Sequence, residues 1–356
     1  MIKKPPKITI IGAGSFSFGL SVLKDIASHT LQDDSPLRNA KISLMDINEK
    51  RLDYMSQLWD KMLEIRPEVK LEVNATTDRR KALKDAEYVI TLINPGGRRA
   101  IVHDLEIPDK HGCVAPNTSD TINPGGVMRA LRTVPVFMDI LDDMADVCFP
   151  GALLLNYSNP MAMNTWGMYD WIEKNEYDLN AVGLCHGTYN TAILFRVWCG
   201  ALPSEFSYTC VGINHMAWYT KMEMIDPDTG KWIDAYPVLK RNLKETPPTG
   251  DFHPETFRRE ILDQFGYFCT ESSSHLSEYV PFPVRRRKDL FEKYRFESEA
   301  PNLRKLSGAK KWDPNEDEKH FQRLLKKPKK FAIPNTPSLE YAPRIIDACE
   351  TLPDNN

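Results

Sequence analysis

Ile8-Thr9-Ile10-Ile11-Gly12-Ala13-Gly14-Ser15 is the stretch that decides the fold of this chain. A short apolar run ending in glycines is the pattern of a buried parallel strand that feeds a tight turn into a helix. The pattern recurs outward from it. Ile42-Ser43-Leu44-Met45 ends at Asp46, while Tyr88-Val89-Ile90-Thr91-Leu92-Ile93 and Ala152-Leu153-Leu154-Leu155 each follow a segment with helical spacing. Ala181-Val182-Gly183-Leu184 leads straight into Cys185. This βαβ alternation predicts an α/β, Rossmann-type doubly wound parallel sheet, whose ligands bind at the carboxyl ends of the strands.

The turn after the first strand carries the first chemical signal. Gly12, Ala13, Gly14 and Ser15 would let the backbone approach a pyrophosphate at a helix start. The third glycine of the dinucleotide fingerprint is missing, and the small Ser17 takes its place. Asp46 ends the second strand, where a carboxylate accepts from ribose hydroxyls and repels a 2′-phosphate, so NAD is expected over NADP. An empty βα turn is the alternative that a glycine turn alone leaves open.

Cys185-His186, with His215 thirty residues on in Gly212-Ile213-Asn214-His215, carries the second signal. A thiolate and an imidazole suit a borderline divalent ion, and a site with two or three protein ligands keeps positions open for substrate. The alternatives are a buried strand-end thiol and a hydrogen-bonded core histidine.

Composition narrows the class. The chain has 356 residues, 42% apolar and 27% charged, with a formal net charge of −3. That length suits two domains, and the charge argues against a nucleic-acid partner. The basic runs Arg285-Arg286-Arg287-Lys288 and Lys326-Lys327-Pro328-Lys329-Lys330 read as solvated faces. The N-terminus lacks a signal-peptide pattern and no stretch approaches a membrane span, so no membrane partner is expected. Seven cysteines, an odd number, read as reduced thiols of a cytoplasmic protein.

From Lys7 to about Tyr279 the chain resembles the NAD- and metal-dependent glycoside hydrolases of family four, most closely their α-galactosidase (melibiase) branch. The resemblance rests on six ordered blocks. These are Ile11 to Ser15; Leu44-Met45-Asp46-Ile47; Asp120-Thr121 with Pro124 to Thr133; Asn156 to Trp166 with Gly183-Leu184-Cys185-His186; Gly212 to Ala217; and Gly266-Tyr267-Phe268 with Thr270-Glu271-Ser272 and Ser277-Glu278-Tyr279.

The resemblance implies an NAD-binding domain over 5–195 and a lactate/malate-dehydrogenase-like α+β substrate and metal domain over 196–356. It implies hydrolysis of α-galactosides without net redox change: oxidation at C3, loss of the C2 proton, elimination of the leaving group, water addition and re-reduction. Family-four enzymes stand outside the usual paired-carboxylate mechanism. Cys185 and His215 match the family's ligands for Mn²⁺ or a similar ion. Tyr267 matches the base at C2, and His186 is placed as an acid or an orienting group. Asn159, Asp120 and Arg129 are expected at the substrate, and Asn94 and Asn156 beside the cofactor.

Two departures bear on this reading. Gly187-Thr188-Tyr189-Asn190 follows Cys-His where the galactosidase branch has Ser-Val-Gln-Gly, which keeps α-glucoside or α-galacturonide substrates open as alternatives. The chain stops at Leu352-Pro353-Asp354-Asn355-Asn356, short of a typical member's final region, so an incomplete second domain is expected. A homo-oligomer is expected where that truncation permits it, and an inactive NAD-binding fragment is the alternative. Ser298 to Pro334 reads as a solvated connector with one amphipathic helix around His320 to Leu325.

Overall fold

In the computed structural model, residues 4–15, 18–111, 123–245, 255–277, 279, 316–327 and 332–351 are described. Ser17, Asp120 and the basic run at 285–288 lie outside them. The described chain divides into two compact units. One comprises 1–97, 130–184 and 311–356, and the other 98–129 and 185–310. The chain thus passes between units more than once, where a reading by chain order places a single cut after 195.

The first unit is built on six parallel strands in the order β3-β2-β1-β4-β5-β6. They are β1 (Lys7–Ile11), β2 (Lys41–Met45), β3 (Glu72–Thr76), β4 (Tyr88–Thr91), β5 (Ala152–Asn156) and β6 (Leu179–Gly183). The doubly wound expectation holds, and the order reverses between β1 and β4, the topological switch point at which such sheets bind ligands. Successive strand residues face opposite sides, so both faces must be covered. Ile8, Ile10, Ile42, Leu44 and Ile90 fill one core, and Ile11, Met45, Val89 and Leu154 the other. Each fully buried side chain of this kind stabilises the fold by about 1.5–3 kcal/mol.

Helices α1 (Phe18–His29), α2 (Glu49–Ile65), α3 (Arg79–Leu83), α4 (Gly97–Lys110), α5 (Pro124–Val147) and α6 (Met161–Lys174) follow the strands. Asn48 and Asp78 start α2 and α3 by accepting from the backbone N–H of Arg51 and Lys81, which satisfies donors the helix cannot pair itself. Within α1 a close approach to the glycine turn falls at Gly19, where a Cβ would lie 2.5 Å from the Ala13 carbonyl oxygen.

The C-terminal segment returns to this unit. Helices α11 (Glu316–Leu325) and α12 (Tyr341–Thr351) pack on α2 and α1. Phe321, Leu324 and Leu325 share one helical face; Phe321 is fully buried and stacks on Tyr54 at 4.7 Å. This corrects the solvated-connector expectation for the described part of 298–334. Its helix exists, but one face is core.

The second unit carries the antiparallel sheet β7-β8-β9, formed by β7 (Phe206–Ile213), β8 (Met216–Ile225) and β9 (Trp232–Asp234). With it go α7 (Gly187–Cys199), α8 (Tyr236–Glu245), α9 (Thr256–Phe265) and α10 (Ser273–Leu276). Its core centres on Phe195, which meets Tyr219 and Phe268 edge-on at 4.8 and 4.7 Å. No helix among the described residues is long and apolar enough to cross a membrane.

Candidate functional site

In the first unit the predicted cofactor residues gather at the carboxyl ends of β1, β2, β4 and β5. Gly12 turns the chain at φ 84°, and a Cβ there would lie 2.6 Å from the Leu92 carbonyl oxygen, so no other residue fits without a shift. The N–H groups of Gly12 and Ala13 both donate to the Met45 carbonyl, and Ser15 N–H closes the turn on the Gly12 carbonyl. Asp46 then accepts from Gly14 N–H at 2.9 Å and from Asn48 N–H at 2.8 Å. A carboxylate has about four acceptor directions, so the half-buried Asp46 can still accept from a diol at the rim.

Asn94 is exposed on the turn after β4, and its carbonyl accepts from Gly97 N–H. Asn156 is fully buried. Its amide oxygen accepts from Thr91 Oγ1 at 3.0 Å and Ser158 N–H at 2.7 Å, and its Nδ2 donates to the Ser158 carbonyl. The Asn164 amide donates to that same carbonyl, and Ser158 Oγ accepts from Ile93 N–H. These bonds brace the β4 and β5 turns. The braced turn carries Asn159, half-buried, in a cis peptide with Pro160.

In the second unit Cys185, His215 and Glu271 converge from three separate segments. Cys185 Sγ lies 3.5 Å from His215 Nε2 and 3.8 Å from Glu271 Oε1, and the three donor atoms all fall within 4.8 Å of one another. Two donors on one ion with bonds of about 2.0–2.4 Å lie at most twice that length apart, so a single divalent ion fits all three. Gly187 N–H, in the first turn of α7, donates to the Cys185 sulfur at 3.5 Å, where helix polarity favours negative charge.

Local backbone explains the convergence. Asn214 and His215 form the two-residue link between β7 and β8, and His215 sits at φ 62°. Glu271 sits at φ 66°. Side chains in this left-handed region carry a cost on the order of 1–3 kcal/mol each, a state that clusters at functional sites. The segment bearing Glu271 is fastened to β8 through Thr270 N–H to the Ala217 carbonyl and Tyr219 N–H to the Phe268 carbonyl. Behind it Arg258, fully buried, bonds Glu255 at 2.7 Å and the Cys269 carbonyl at 3.1 Å. The His215 ring, 7% exposed, meets the His275 ring edge-on at 4.8 Å.

Of the other predicted residues, Tyr267 lies four positions before Glu271, 46% exposed, with its ring edge-on to Tyr236 at 6.0 Å. His186 is the half-buried N-cap of α7 and makes no side-chain capping bond. Arg129 is half-buried in the first turns of α5. Glu271 was legible only as part of a sequence block. A carboxylate among small residues hints at a role, but 86 residues separate it from Cys185.

These features define a nucleotide-fold protein with a thiolate, imidazole and carboxylate set suited to a divalent ion. Comparison with known proteins places it further. Residues 7–197 match the family 4 glycosyl hydrolase model and 210–355 the C-terminal domain model of the same family. The chain belongs to family 4 of the glycosyl hydrolases. It is 35% identical to an alpha-galactosidase of Rhizobium meliloti, over 97% of this chain and 67% of that protein. It is also 35% identical to an alpha-galactosidase of Bacillus subtilis, over 97% of this chain and 74% of the relative. An alpha-glucosidase of Erwinia rhapontici matches at 35% over 82% of this chain and 69% of the relative. Among solved structures, a 6-phospho-beta-glucosidase of Thermotoga maritima, determined with manganese, NAD+ and glucose-6-phosphate, shares the fold. Its TM-score is 0.65 at 21% identity, covering 92% of this chain and 68% of that one.

Proposed function

We propose that this chain hydrolyses α-galactosides, holding NAD at the Gly12–Ser15 turn and a divalent ion such as Mn²⁺ at Cys185 and His215. The observation that carries the reading is the meeting of these two side chains at 3.5 Å, from segments thirty residues apart, in a chain 35% identical to alpha-galactosidases along nearly its whole length. The glycine turn after β1 and the Asp46 carboxylate at the end of β2 support the cofactor assignment, since this pairing suits a pyrophosphate and a ribose diol.

When bound, NAD supplies reversible hydride transfer at the sugar C3, and the ion polarises the neighbouring sugar oxygens. This chain's residues do the rest. Asp46 holds the ribose hydroxyls, with its carboxylate fixed by two backbone N–H groups. The phenol oxygen of Tyr267 takes the C2 proton, and the imidazole of His186 gives a proton to the leaving oxygen. Asn159, Arg129 and Asp120 orient the sugar hydroxyls. The described cysteines are free thiols, which suits a reducing, cytoplasmic setting.

The test is hydrolysis of p-nitrophenyl α-galactoside and α-glucoside in deuterated water, with and without NAD⁺, Mn²⁺ and reductant. Galactoside cleavage that needs all three and leaves deuterium at C2 is the expected result. Preference for the glucoside would move the assignment to the glycone of the Erwinia rhapontici relative. Cleavage indifferent to NAD⁺ and to chelator would overturn the oxidative route.

A further inference from the structure

We infer that Glu271 is a third protein ligand of the ion, and that Gly187 is present to admit its carboxylate. This rests on the ion being held at Cys185 and His215, and extends it.

Three observations support the assignment. Glu271 Oε1 lies 3.8 Å from Cys185 Sγ, inside the span one ion can bridge. Glu271 shares with His215 the left-handed backbone that aims each side chain at Cys185, at φ 66° and 62°. Left-handed non-glycine residues cluster at functional sites, and these two bring their side chains to one sulfur. The third observation is steric. A Cβ on Gly187 would fall 1.4 Å from Glu271 Oε1 and 2.4 Å from its Cδ. A side chain at 187 would displace the carboxylate.

Donor chemistry gives the consequence. A thiolate and an imidazole alone are a soft pair that suits zinc, whereas a carboxylate is a hard oxygen donor of the kind manganese prefers. With Glu271 the set also carries two negative charges and neutralises a divalent ion. The protein should therefore bind the ion before sugar or NAD arrives, and Glu271 should tilt the site toward Mn²⁺. Gly187 becomes a determinant of that ligand set.

The experiment is a Co²⁺ titration of the full chain, without NAD or sugar, following the thiolate-to-cobalt charge-transfer band. Wild type should show the band and Cys185→Ser should lack it. Glu271→Gln keeps the side-chain volume but removes the charge, and should weaken Co²⁺ binding by roughly tenfold or more. Gly187→Ala should match that loss, and the double variant should bind no worse than either single one, because both changes delete one contact. Gly187 has an ordinary φ, and alanine is favoured in a helical first turn, so the Gly187→Ala chain should retain its thermal midpoint. Wild-type affinity in both Glu271→Gln and Gly187→Ala would overturn the inference while leaving the two-ligand site standing. A wild-type chain without the band would overturn the two-ligand site itself, and the inference with it.

Discussion

The two halves of the machinery are made of different material. The rim in the first unit is backbone: Gly12, Ala13, Gly14 and Ser15 are held by carbonyls and by one carboxylate, Asp46, that belongs to the same rim. The cluster in the second unit is side chain: Cys185, His215 and Glu271 come from three loops, two of them through strained residues. A backbone site is specified by a short stretch and fails when the turn cannot form. A side-chain site is specified by distant residues and fails when one atom is lost, although the fold survives. The comparison predicts that damage to one half leaves binding at the other intact.

Cys185→Ala tests this with the largest expected effect. Cys185 is half-buried and its sulfur is common to the contacts with His215 and Glu271. A bound ion contributes several kcal/mol to the transition state, so glycoside hydrolysis should fall roughly a thousandfold. NAD affinity, followed by quenching of tryptophan fluorescence, should be unchanged. A parallel loss of NAD binding would mean that the two sites are one coupled unit.

The same contrast explains what could be read from the chain alone. The parallel strands β1, β2, β4 and β5 announce themselves as apolar runs, because strands covered on both faces have no polar side; β6, at the far edge, was legible from Ala181-Val182-Gly183-Leu184 before Cys185. Edge strand β3 was not legible. Glu72-Val73-Asn74-Ala75-Thr76 is largely exposed and pairs with β2 alone, so its residues carry no such run. Cys185 and His215 were legible by residue type and block. Glu271 was not, because its role depends on a three-dimensional meeting that neither spacing nor periodicity encodes. The return of α11 onto the first unit escaped for a related reason. Its apolar face is only Phe321, Leu324 and Leu325, surrounded by charge, and their partners lie more than 250 residues earlier.

Gly12→Ala probes the other half with an intermediate effect. At φ 84° an alanine is strained by about 1 kcal/mol or more, and its Cβ would press on the Leu92 carbonyl at the end of β4. Stability should drop by about 1–3 kcal/mol, and NAD affinity should weaken by at least tenfold, as read by calorimetric titration. The Co²⁺ charge-transfer band should be that of wild type. Loss of the band in this variant would break the proposed independence from the opposite side.

The smallest effect concerns the docking of the C-terminal segment on the first unit. His29 ends α1 and is 8% exposed. Burial pushes its imidazole below the ordinary value, outweighing Asp25 on the same helix and Asp347 on α12, which pull it up; Arg344 on α12 pushes it further down. The lowered pKa means that the unfolded chain takes up a proton more readily than the folded one. The contribution of neutral His29 is therefore fully present above the unfolded value of about 6.5 and declines as the pH falls through the window below it. Ser28 Oγ and Gln32 Nε2 also donate to the Pro334 and Asn335 carbonyls, so protonation acts where the returning segment is fastened. Denaturant midpoints measured from pH 7.5 to 5 should fall for wild type and fall less for His29→Gln, whose side chain cannot titrate. Equal slopes in the two proteins would show that other groups set the acid limit, and that the contact between α1 and α12 takes no part in it.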